Sequence, residues 1–137
     1  MSIQPYLFFG GRCEEALEFY GKAVGAEIVM LSRFKDAPES MPKMPECFDQ
    51  KIMHATARIG SSTFMASDGR CEGKPEFEGF SMAINVLTES EAEHVFNALA
   101  EGGTVIMPLE KTFWAPKFGM LEDRFGVDWM VSVQHKS

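Results

Sequence analysis

With 137 residues, 45% of them hydrophobic, the chain is sized for one domain whose core needs no disulfide or metal staple. A formal charge of -7 and an isoelectric point near 4.9, with no run of Lys or Arg, argue against nucleic acid and anionic membrane surfaces as partners. The opening MSIQPYLFFGG has no basic stretch and too short an apolar run for a signal peptide or a membrane span, so the expected address is cytoplasmic.

In chain order, QPYLFF reads as a short aromatic strand. From Arg12 to about Val24 the residues Ala16, Leu17, Tyr20, Ala23 and Val24 recur at helical spacing, and Gly25 ends the helix. Glu27 to Phe34 is β-like, and two further strands follow at Lys51 to Ile59 and Ser62 to Ser67, joined by Gly60 and Ser61. Between them, residues 36 to 50 carry three prolines among polar residues and read as a long mobile loop able to cover an opening. Phe80 to Leu87 is again a strand. Thr88-Glu89-Ser90-Glu91 has the form of a capping box, and Ala92, Val95, Phe96, Leu99 and Ala100 mark the apolar stripe of a second helix. Gly102-Gly103 stops that helix, TVIM is a strand, and a hairpin turning at Gly126 closes the chain.

The order β-α-β-β-β thus occurs twice. Laid together without gaps, EEALEFYGKAVGAEIVM from Glu14 and EAEHVFNALAEGGTVIM from Glu91 align Phe19 with Phe96, Gly25 with Gly102, Ile28 with Val105 and Met30 with Met107, a constant offset of 77 residues. The expectation is an α+β domain over 1–137 made of two repeated modules, the first about 1–70 and the second about 77–135. Cys13, Cys47 and Cys71 are widely spaced with no CxxC, so they are read as reduced thiols rather than as a disulfide framework or a zinc site.

Paired modules of this kind, with EEALEFYGKAVGAE leading through a Phe-Tyr pair and EDRFGVDWM forming the last hairpin, resemble the glyoxalase/bleomycin-resistance/dioxygenase superfamily, also called vicinal oxygen chelate proteins. The segments YLFFGGRCEEALEFY, HATARIGSSTFMASD, KTFW and DRFGVDWM are similar to its PhnB-like group, some members of which carry a 3-demethylubiquinone 3-methyltransferase label. The resemblance covers essentially the whole chain. It implies cupped mixed sheets with helices outside, a ligand cavity inside, and a homodimer. It also implies a divalent metal held by His or Glu on the first and last strands of each module. Those positions fall close to Pro5, Met65, Ser81 and Met130, none of which is a ligand for a hard divalent metal. No resident cofactor is therefore expected, although a divalent metal is not excluded at a rearranged site. A methyltransferase using S-adenosylmethionine would need a glycine-rich strand-to-helix turn and an acidic residue on the next strand, and GGR at 10 to 12 reads more simply as a turn.

Strand alternation divides the side chains into two sets. Tyr6, Phe8, Phe64, Ala66, Met82, Ile84, Val86, Trp129, Val131 and Val133 form an apolar set suited to lie under the helices, with Met53, Ala55, Ala57 and Ile59. Leu7, Phe9, Thr63, Met65, Ser67, Ser81, Ala83, Asn85, Asp128, Met130 and Ser132 form a mixed set suited to line a pocket. His54, Thr56 and Arg58 join the mixed set.

The expected ligand contacts are therefore His54, Arg58, Met65, Ser81, Asn85, Asp128 and Met130, with Trp114 from the KTFW loop as either a pocket wall or an interface residue. His54 and Glu122 are the candidates for general acid-base work or for a rearranged metal site. The bland alternatives are an Arg58–Asp128 pair and a purely structural His54. Asp68 and Asp123 are read as residues that hold turns through nearby backbone. The leading expectation is a metal-independent binder of a small molecule. The alternatives are a metal-dependent lyase, isomerase or dioxygenase using His54 and Glu122, and an interaction subunit whose pocket is filled by its own side chains.

Overall fold

The computed structural model describes residues 1–36, 50–69 and 76–133. The chain divides into two compact units, Met1–Pro75 and Glu76–Ser137. The first contains β1 (Tyr6–Phe8), α1 (Cys13–Val24), β2 (Glu27–Arg33), β3 (Ile52–Ile59) and β4 (Ser62–Ser67). The second contains β5 (Met82–Val86), α2 (Glu89–Ala100), β6 (Thr104–Glu110), β7 (Phe118–Glu122) and β8 (Asp128–Val133). The doubled β-α-β-β-β order is thus present. Each unit carries one four-stranded mixed sheet, ordered β1-β4-β3-β2 and β5-β8-β7-β6. The pairs β1–β4 and β5–β8 are parallel and the remaining neighbours antiparallel.

The repeat extends to an irregularity. The β2–β3 ladder slips between Ile28 and Met30, and the β6–β7 ladder slips between Val105 and Met107, the same places at the offset of 77. That offset, Glu27 to Thr104, falls to 66 between Ser62 and Asp128, so the connection from β2 to β3 is 11 residues longer than that from β6 to β7. The extra length contains the proline-rich segment. Residues 37–49 of that expected loop lie outside the described residues, as do Cys47, Cys71 and His135.

Both helices last 12 residues. The helix α1 ends at Gly25, whose φ of 73° closes a left-handed cap with Ala26 N–H donating to Tyr20 O at 3.3 Å. Thr88 caps α2 by accepting from Glu91 N–H at 3.1 Å, the first half of the expected capping box. Arg124 closes the other end, donating from Nε at 3.2 Å and Nη2 at 3.1 Å to Glu101 O, where a guanidinium also suits the negative end of the helix dipole.

In the first unit Tyr20 of α1 is buried between Phe9 and Phe64, with ring centroids 6.2 and 6.4 Å away, and Leu7, Ala55, Ala57 and Ala66 complete the floor. In the second, Ala92, Val95, Phe96 and Leu99 are the buried residues of α2, and Phe118, Leu121, Trp129, Val131 and Val133 the buried large side chains of its two central strands. Gly119 is required there, because a Cβ would lie 2.7 Å from the Phe96 ring.

Two buried carboxylates organise the connections. Asp68 accepts from Gly11 N–H at 2.9 Å and Cys13 N–H at 2.7 Å through Oδ1, and from Ile52 N–H at 2.7 Å through Oδ2. It therefore ties the end of β4 to the glycine turn, the first residue of α1 and the start of β3. The sequence suggested a local turn, and the carboxylate instead supplies from a distance the cap that Arg12 does not make. Asp123 does hold its own turn, accepting from Phe125 N–H at 2.8 Å and Val127 N–H at 3.1 Å, and it also takes Trp129 Nε1–H at 2.8 Å.

The prediction is a large loss for Asp68→Ala, because two buried amides and one part-buried amide lose a charged acceptor at once. Urea denaturation should show a destabilisation of about 3 kcal/mol or more. A change below about 1 kcal/mol would mean that the clamp carries little stability.

Candidate functional site

Each sheet has one face under its helix and one helix-free face, and register assigns the side chains. In the first unit Tyr6 lies opposite Met65, Leu7 opposite Ala66 and Phe8 opposite Ser67. Met65 in turn lies opposite Thr56, and Ala66 opposite Ala55. Tyr6 and Phe8 therefore join Met65, Thr56 and His54 on the helix-free face, whereas Leu7 and Phe9 are buried beneath α1. This reverses the sequence expectation for β1. Every residue of YLFF is apolar, so its alternation carries no sense of direction, and the β4 register decides it through Met65 N–H donating to Pro5 O and Phe9 N–H to Ser67 O.

The reversal gives this face an aromatic platform. The rings of Tyr6 and Phe8 stack with centroids 4.8 Å apart and planes 20° off parallel, and they are 37% and 52% exposed. The Tyr6 hydroxyl lies 2.9 Å from His54 Nδ1, and Thr56 Oγ1 lies 3.5 Å from His54 Nε2. Burial pushes the Tyr6 phenol above its ordinary range, against a lowering by its hydrogen bond to Ser67, so the hydroxyl keeps its proton at neutral pH. Arg58 is engaged by Glu27 of the neighbouring strand in an exposed ion pair. Cys13 offers no nucleophile: burial first, and the neighbouring Asp68 and Glu14 carboxylates next, hold its thiol far above the usual range.

In the second unit the expected parity holds. Trp129, Val131 and Val133 are buried, while Asp128, Met130 and Ser132 alternate with them as half-buried residues. Three rows cross the helix-free face: Thr104, Glu122 and Asp128; then Met107, Met120, Met130 and Ala83; then Glu110, Phe118, Ser132 and Asn85. Ser81 directly precedes β5 and is half-buried. Trp114 is 46% exposed and packs its ring 5.3 Å from that of Phe118, so it borders this face. The residues that sequence reasoning missed are Tyr6, Phe8, Met107, Met120 and Phe118. The methionines were legible as alternating strand positions, but β6 and β7 had not been assigned a parity.

The candidates for acid-base or metal chemistry are divided between the units. His54 makes its contacts within the first, and Glu122 is an exposed strand end opposite Asp128 in the second. Among the described residues no group of three or more His, Cys, Asp or Glu side chains gathers into a metal-binding cluster. Among them also, no helix is long and apolar enough to cross a membrane. Pro5, Met65, Ser81 and Met130 offer a proline ring, two thioethers and a hydroxyl, a donor set that does not fit a hard divalent cation.

The family model described as 3-demethylubiquinone-9 3-methyltransferase matches residues 1–132. The chain belongs to this PhnB-like family. A crystal structure of protein PA1353 from Pseudomonas aeruginosa is 44% identical, with a TM-score of 0.86 and 99% of each chain covered. The putative 3-demethylubiquinone-9 3-methyltransferase, PhnB protein, from Bacillus cereus is 31% identical with a TM-score of 0.79, covering 97% of this chain and 99% of its own. Protein YjdN of Escherichia coli (strain K12) is 35% identical over 140 residues, 97% of this chain and 95% of its own length. A glyoxylase/bleomycin resistance protein/dioxygenase domain from Frankia sp. EAN1pec shares the fold at 10% identity and a TM-score of 0.67, over 98% of each chain.

His54 makes its bonds on a partly exposed face, so they contribute little to stability. His54→Ala should shift the urea midpoint by the equivalent of less than about 1 kcal/mol. A loss above about 2 kcal/mol would show that the histidine is a packing residue.

Proposed function

We propose that this PhnB-like protein binds a small organic molecule on the helix-free faces of its sheets, without the divalent metal of the superfamily's enzymes. The reading is supported by the side chains of Pro5, Met65, Ser81 and Met130, which stand close to where the superfamily resemblance puts metal ligands and carry no donor for a hard divalent ion. Met65 sits beside Tyr6 and Thr56, and Met130 beside Met120 and Ala83. Thioethers and aromatic rings at such places make an adaptable apolar wall, and His54, Thr56, Asn85, Ser132 and Asp128 supply the polar groups that orient a ligand.

Arg58, held by Glu27, contributes a neutralised pair rather than a bare cation. Methyl transfer from S-adenosylmethionine is disfavoured, because the amides at the start of α1 that would meet a nucleotide are taken by Asp68. A homodimer fits the superfamily resemblance, and a cytoplasmic address fits the N-terminal segment, which has no basic stretch and only a short apolar run. Ile28, Val29 and Met30 on β2 and Val105 and Ile106 on β6, exposed apolar residues on the outer strands, support a dimer made by side-chain packing rather than by strand pairing. Metal-dependent lyase, isomerase or dioxygenase chemistry through His54 and Glu122 is the alternative reading, and among the described residues neither belongs to a group of three or more His, Cys, Asp or Glu side chains that could hold a metal.

Spectra of [methyl-13C]methionine-labelled protein, recorded against a set of small aromatic compounds, test the binding reading. At least one compound should shift the Met65, Met120 or Met130 methyl while leaving the exposed Met1 methyl in place. Failure of every compound to move any of the three would favour an interaction subunit instead.

A further inference from the structure

The second unit's helix-free face has a charge pattern that narrows the ligand. We infer that it takes a small organic cation with an apolar or aromatic body, an inference that rests on the binding function proposed above. Met107, Met120 and Met130 form a continuous cross-strand row over β6, β7 and β8. Glu122 and Asp128 flank that row on one side and Glu110 on the other. No Lys, Arg or His occupies a registered position on this face. Of the nearby bases, Lys117 lies 3.6 Å from Glu93 and Arg124 caps α2, while Lys111 directly follows Glu110 at the end of β6. None of the three carboxylates has a hydrogen bond or ion pair with another described residue.

Dimensions and chemistry agree. Strands spaced about 4.8 Å apart make the methionine row about 10 Å long, and same-face rows about 7 Å apart put a carboxylate within reach of either edge. That is room for two or three fused rings lying on thioethers, with an ammonium or iminium group meeting a carboxylate. The exposed Trp114 ring, tilted 70° to the buried Phe118 ring it packs against, borders the same face and offers a π surface to a cation. An anion would meet Glu110, Glu122 and Asp128 here, and Lys111 beside Glu110 offsets one of these three charges.

The test uses two fluorescent probes of similar size and opposite charge, the ethidium cation and the anilinonaphthalenesulfonate anion, on the full-length protein. Ethidium should bind at one saturable site, quench Trp114 and shift the Met120 and Met130 methyls. Asp128→Asn and Glu122→Gln should each weaken it by roughly threefold to fivefold, as expected for half-exposed ion pairs. Glu89→Gln, a charge change of equal size on α2, should leave ethidium affinity unchanged. Unaltered melting temperatures and methyl spectra identify the variants as folded, and Glu110→Gln stands in for either that is not. Equal weakening by Glu89→Gln would reduce the effect to net charge and overturn the inference. So would preferential binding of the anion or of neutral aromatic compounds, although those would leave the binding function standing. If neither probe binds and no compound moves a methionine methyl, both the inference and that function fall.

Discussion

The carboxylate of Asp68 sets the geometry on which the first unit depends. Its oxygens accept from Gly11, Cys13 and Ile52 amides, so three chain segments converge on one buried charge. A buried carboxylate is tolerated only when its lone pairs are filled, and here amide donors at the positive end of α1 fill them. The clamp locates the helix over the sheet and holds β1 beside β4. That register sends Leu7 and Phe9 beneath Tyr20, and Tyr6 and Phe8 to the other side beside His54. The candidate site is in this sense a consequence of a structural residue that never touches it. Asp123 serves the second unit similarly, fixing the β7–β8 turn and anchoring Trp129, and thereby presenting Asp128 and Met130 opposite.

Duplication explains why the two units share even a ladder slip, at Ile28/Met30 and Val105/Met107. A bulge twists an edge strand and weakens its use as a template for further pairing. Pro108 in β6 has the same effect by removing a ladder donor, which an edge strand tolerates. The units have diverged on their helix-free faces. The first bears stacked aromatics and a hydrogen-bonded histidine; the second bears a methionine row between carboxylates. One backbone pattern thus carries two different surfaces.

Much of this was legible in the residues. Helical spacing in Ala16, Leu17, Tyr20 and Ala23, the capping box at Thr88 and the terminal glycine at Gly25 each have a local physical cause, and each stands where it was read. The alternation of β8 was equally clear, because Asp128, Met130 and Ser132 interleave with Trp129, Val131 and Val133. The alternation of β1 was not, because an all-apolar strand has no polar side to mark, and its orientation is decided by a partner nearly 60 residues away. The reach of Asp68 was hidden for the same reason. Its local context, Asp before Gly, signals a turn, while its actual partners are distant backbone amides. Arg58 was weighed against Asp128, yet its ion pair is with Glu27 directly across the β2–β3 ladder.

The central proposal is that this PhnB-like chain, with thioether, hydroxyl and proline side chains at Met65, Met130, Ser81 and Pro5, presents sheet faces suited to organic ligands rather than to a divalent metal. Metal content measures this most directly. Protein purified without chelator, analysed by mass spectrometry for divalent transition metals, magnesium and calcium, should carry well under one ion per chain, and added EDTA should leave its melting temperature unchanged. One tightly held divalent ion per chain, whose removal lowers the melting temperature, would contradict the account.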